Sequence, residues 1–112
     1  MKQTDDSNLH RSPVRMGVAW YRKEQWELLR KISEDVDKLE GTYEEWLREA
    51  TVGLKRMKDI GMEAEKVDID VNELVAWCKQ RGEPVNGSSR SEFAADKIRR
   101  KYEEKSGSNN NQ

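Results

Sequence analysis

The sequence has one cysteine, Cys78, one histidine, His10, and two prolines among 112 residues. A lone cysteine cannot form an internal disulfide, so packing must hold the fold, and this usage fits a reducing cytoplasm. One cysteine and one histidine cannot complete a structural zinc site, and no metal or other cofactor is expected. No apolar run approaches the ~20 residues of a membrane span. Residues Met1 to Arg15 contain no apolar run of signal-peptide length. Neither sign of charge dominates, with 21 basic and 22 acidic residues and a formal charge of −1. At a pI near 5.9 the chain is not built like a dedicated nucleic-acid binder, whose affinity rests on neutralising phosphates. The dinucleotide-binding, phosphate-loop and zinc-protease motifs are all missing.

The hydrophobic fraction is low, 34% against 38% charged, which alone leans toward disorder. Four tryptophans, Trp20, Trp26, Trp46 and Trp77, offset this, since each can bury about 150–250 Å². The charge is uneven: residues 10–31 hold six Arg or Lys against two Glu, and residues 33–47 hold six acidic residues against one Lys. Such asymmetry can orient a partner.

The apolar spacing predicts an order β-α-α-β-α-α, an α+β fold that is mostly helical, with about four helices and two short strands. Residues 1–15 read as a flexible arm, 16–105 as one domain and 106–112 as a disordered polar tail. Met16, Val18 and Trp20 alternate as a strand does. Trp26, Leu29 and Ile32 recur at intervals of three, which predicts a helix over residues 22–33, and residues 33–41 read as an irregular link or a fraying extension of that helix. Thr42 and Glu45 form a capping box ahead of a helical stripe from Tyr43 to Ile60, with Gly61 placed to end it. Val67 and Ile69 mark a second strand over 65–70. Asp70 then caps a helix that stops at Gly82. Ser89 with Glu92 reads as a further capping box, opening a last helix that carries Phe93, Ala94, Ile98 and Tyr102. Asp96 and Arg100 are spaced for an i, i+4 pair.

Each chemical candidate has a plainer reading. His10 lies in the arm, where no nucleophile is held within hydrogen-bond reach of it. Cys78 lies on an apolar stripe toward the C-terminal end of its helix, where the dipole disfavours a thiolate, so a buried small hydrophobe is expected. Asp68-Ile69-Asp70-Val71-Asn72 opens like a calcium loop, but Glu73 and Lys79 stand where that loop needs Gly and Glu. A looser carboxylate site at Asp68, Asp70 and Glu73 competes with the role of Asp70 as a helix cap. Trp20, Tyr21, Arg22 and Lys23 set aromatics beside cations, as single-strand binders do. The plainer expectation makes Trp20 core, Tyr21 rim and the cations solvated.

The set Ala19-Trp20-Tyr21, Trp26, Thr42-Tyr43-Glu44-Glu45-Trp46-Leu47, Gly61 and Trp77-Cys78 resembles small bacterial domain proteins of unknown function, over roughly residues 16–95. The resemblance implies a bacterial cytoplasmic setting and carries no functional residue. The residues themselves lead to a non-enzymatic interaction or accessory module with a protein partner. Its candidate surface is Arg22, Lys23, Glu34, Asp35, Asp37, Glu40, Arg99, Arg100 and Lys101. The alternatives are a nucleic-acid accessory role through Arg22, Lys23, Arg99, Arg100 and Lys101, and a small enzyme using carboxylates or Cys78.

Overall fold

The computed structural model describes residues 15–110, with side chains to Glu103. The arm proposed for the first residues, and His10 within it, therefore lie outside the described residues apart from Arg15. The elements are β1 (Arg15–Tyr21), α1 (Trp26–Ile32), α2 (Tyr43–Asp59), β2 (Glu63–Ile69), α3 (Val71–Arg81) and α4 (Gly87–Asn110). Single 3₁₀ turns occupy Lys23–Gln25 before α1 and Val36–Lys38 in the acidic link. This is the expected β-α-α-β-α-α order, and α4 runs on through the first part of the 106–112 segment.

The two strands pair in parallel, with Arg15 opposite Glu63 and Tyr21 opposite Ile69. Side chains alternate along a strand, so Gly17, Ala19 and Tyr21 share one face with Glu65, Val67 and Ile69. Met16, Val18 and Trp20 share the other with Ala64, Lys66 and Asp68. The Gly17 face rests on α4. A Cβ on Gly17 would meet the Ala94 carbonyl oxygen at 2.8 Å and Ile98 Cγ2 at 3.1 Å, so glycine sets how closely the helix approaches. This reverses the expected depth of two aromatics. Tyr21 is buried, at 7% exposure, while Trp20 on the opposite face is half-buried.

On the Trp20 face the contact is with α2, where the Trp20 and Trp46 rings meet edge-on at 5.3 Å. Trp46 also lies 5.2 Å from Tyr21 and 5.6 Å from Trp26. Trp26, 2% exposed, touches Tyr43 as well, at 6.2 Å. These five rings tie β1, α1 and α2 together, each pair adding about 0.5–1.5 kcal/mol beyond its buried area.

Local signals place the helix ends. The Glu45 amide donates to Thr42 Oγ1 at 3.1 Å, and Gly61 takes a φ of 95° just beyond α2. Asp70 Oδ1 accepts from the Asn72 amide at 2.9 Å, and Gly82, with a φ of 68°, ends α3. The start of α4 differs from the expected Ser89–Glu92 box. Asn86 Oδ1 accepts from the Ser89 amide, and Ser89 Oγ accepts in return from the Asn86 amide, each at 3.0 Å. Ser89 is thus the inner member of a reciprocal pair that Asn86 opens, and the helix begins three residues early.

Candidate functional site

The charged residues singled out in the sequence are mostly committed within the chain. Arg22 Nη2 lies 2.7 Å from Asp68 Oδ2, and that hydrogen bond holds the Asp68 carboxyl below its ordinary range. Lys23 Nζ lies 2.9 Å from Glu44 Oε2, which raises the Lys23 ammonium and lowers the Glu44 carboxyl. Arg99 and Arg100 both pair with Asp96, the latter through Nε to Oδ2 at 3.0 Å. Lys101 pairs with Glu65, whose other oxygen accepts from Tyr102 Oη at 2.7 Å. The five cations do not form one face. Glu65 and Asp68 are three residues apart on β2 and project to opposite sides of the sheet, separating Lys101 from Arg22.

The acidic stretch is partly structural. Glu34 Oε2 accepts from Asn86 Nδ2 at 3.0 Å. Asp35 grips Arg90 with both carboxylate oxygens, at 2.8 and 3.0 Å, and also accepts from the Gly87 amide at 3.0 Å. The pair is nearly enclosed, its side chains 15% and 10% exposed. Its hydrogen bonds to Arg90 hold the Asp35 carboxyl below its usual value. Asp37 and Glu40 make no ion pair among the described residues. Asp68, Asp70 and Glu73 do not converge: Asp68 serves Arg22, and Asp70 serves the α3 cap and Gln25 Nε2. No three metal-ligating side chains gather among the described residues. Cys78 is 1% exposed in the core.

What the sequence reading missed lies along β1. Beyond its ladder with β2, the β1 backbone makes one hydrogen bond among the described residues: Tyr43 Oη donates to Tyr21 O at 3.2 Å. The outer edge of β1 from Arg15 to Ala19 lines a groove of about 750 Å³. Leu39, Trp46 and Met57 also line it, and from α4 so do Gly87, Ser91 and Ala95. Arg90, beside Tyr21, and Glu92 add charged groups to the lining. Burial pushes the Tyr21 phenol up to about 12, although Arg90 beside it acts in the opposite direction, so the phenol stays neutral at any physiological pH.

Two signals for this groove stand in the sequence. β1 (Arg-Met-Gly-Val-Ala-Trp-Tyr) carries one charge, whereas β2 (Glu-Ala-Glu-Lys-Val-Asp-Ile) carries four. Gly87, Ser91 and Ala95 recur at every fourth position of α4, which stacks small residues on one side of the helix.

No helix among the described residues is long and apolar enough to cross a membrane. Comparison with protein-family models, with curated proteins and with solved structures finds no match to this chain.

Proposed function

We propose that the protein is a non-enzymatic interaction module that docks another protein in the groove beside the outer edge of β1. The observation that carries this reading is the contrast between the two sheet edges. Unpaired strand edges recruit other chains, and proteins blunt them with charge. β2 is defended by Glu63, Glu65, Lys66 and Asp68, while β1 presents Met16, Gly17, Val18 and Ala19 with only Arg15 charged. A mainly apolar groove runs beside that undefended edge, and concave apolar surfaces with a few polar groups are the usual form of a binding site.

The polar groups near the groove support binding over chemistry. Arg90 is held by Asp35 and donates to Ser33 Oγ at 3.2 Å, and Tyr21 is neutral. A nucleic-acid role is less well supported, because each of its five cations would have to leave a carboxylate to meet a phosphate.

The test is photo-cross-linking in the native cell, with the reactive group placed in turn at Met57, Ala95 and, as a control, the exposed Val52 of α2. A discrete protein adduct from Met57 and Ala95 but not from Val52 is expected. Adducts from Val52 alone, or from no position, would overturn the docking reading.

A further inference from the structure

We infer that the groove's occupant is an extended strand of a second protein, added antiparallel to β1, with a basic residue at its N-terminal end and an acidic one at its C-terminal end. This rests on the docking reading above and specifies the partner.

Strand addition follows from what the groove offers. Its floor is the edge of a seven-residue strand whose outward amides and carbonyls from Arg15 to Ala19 meet no partner among the described residues. An added strand meets those groups by main-chain hydrogen bonds, while alternate side chains meet the walls. Both walls suit apolar side chains. Met57 and Leu39 stand on one side, and the small residues Ser91 and Ala95 of α4 leave space on the other. A two-stranded sheet is marginal in water, and a third strand extends it.

A second copy of this protein fits the edge poorly. α4 packs directly against β1 at Gly17, through Ala94 and Ile98. Joining two β1 edges at about 4.8 Å would bring the two α4 helices closer than the roughly 8–10 Å that packed helices need. Residues 1–14 fit poorly for a different reason: apart from Met1, their only sizeable apolar residues are Leu9 and Val14. An extended segment carrying no helix of its own avoids the clash and can be apolar throughout its middle.

Charge gives the direction. Arg15 begins β1, and α4 runs back along the strand, with Arg90 beside Tyr21 and Ala94 and Ile98 at Gly17. Glu92, two residues past Arg90, therefore belongs toward the Tyr21 end of the lining. The side chains of Arg15 and Glu92 are 35% and 52% exposed, and their pairs inside the chain, with Glu63 at 3.5 Å and Arg81 at 3.7 Å, are long. The ligand's acid therefore belongs beside Arg15 and its base beside Glu92. Antiparallel pairs are somewhat more stable per residue and outnumber parallel ones about two- to three-fold. An antiparallel ligand starts at the Tyr21 end, so its base comes first.

The test uses a random heptapeptide display library panned against the full-length protein. The expected consensus is a basic residue, an apolar or β-branched run and then an acidic residue, with at least tenfold weaker binding to the Ala95→Arg protein. Panning against the doubly reversed Arg15→Glu, Glu92→Lys protein should invert the charges of the consensus. No enrichment, a consensus without an apolar run, or peptides indifferent to both variants would overturn strand addition. So would a concentration-dependent dimer in sedimentation that Ala95→Arg dissociates. If cross-linking still captures a protein at Met57 and Ala95, only the strand inference has failed and docking survives. If neither experiment finds a ligand, both fail.

Discussion

Gly17 and the carbonyl oxygen of Ala94 stand so close that a Cβ on the glycine would come within 2.8 Å of that oxygen. The obstacle is backbone, with Val67 Cγ2 at 3.0 Å and Ile98 Cγ2 at 3.1 Å behind it. β1 is therefore seated on α4 by the absence of a side chain. The edge of the strand turned away from β2 forms the floor of the groove.

Gly17→Ala must push α4 away from the sheet or bend β1. Overpacking of this kind costs about 1–3 kcal/mol, more than the small gain alanine gives by restricting the unfolded chain. Urea denaturation should show a lower midpoint with little change in slope. A midpoint equal to that of the parent would mean the helix is not seated on the strand in this way.

The Asp35–Arg90 pair joins the acidic link to the first turn of α4, 55 residues away. Removing one partner of an enclosed ion pair strands the other, so Asp35→Asn should cost about 3 kcal/mol, at the low end of the range for such pairs. The pH dependence has a defined sign. The folded-state pKa of Asp35 is depressed below 3.8, so its contribution is present above that value and is lost as pH falls through the folded one. Between pH 5 and 2 the parent should lose more stability than Asp35→Asn. Parallel stability curves over that range would contradict the assignment.

The fold was largely legible in the sequence because its signals are local. Thr42 with Glu45, Asp70 and the two helix-ending glycines each fix a helix end through contacts within a few residues. The start of α4 was misplaced because Ser89 can serve in two positions of a cap, and the choice depends on Asn86, three residues upstream. The depth of Tyr21 relative to Trp20 was misjudged for a longer-range reason. Side-chain size points to Trp20 as core, but Gly17 admits α4 on the Tyr21 face, and nothing within β1 reveals that. The committed state of the charged residues was hidden likewise, since Arg22 meets Asp68 across 46 residues and Lys101 meets Glu65 across 36.

Cys78 belongs to the part that was legible. At 1% exposure among Val71, Leu74 and Phe93, its thiol should react with a soluble aromatic disulfide only through opening of the fold. Native labelling should run orders of magnitude slower than labelling in urea and speed up in step with destabilisation by Gly17→Ala. Prompt native labelling would place the thiol at the surface.

The central claim is that the outer edge of β1 is open, and residue-resolved amide hydrogen exchange of the full-length protein tests it most directly. In a strand paired on one side only, successive backbone groups point alternately toward the partner and away from it. From Met16 to Tyr21, protected amides facing β2 should alternate with fast-exchanging amides facing the groove. Uniform protection along the strand would mean the edge is already covered, and the account of the groove as a docking site would be wrong.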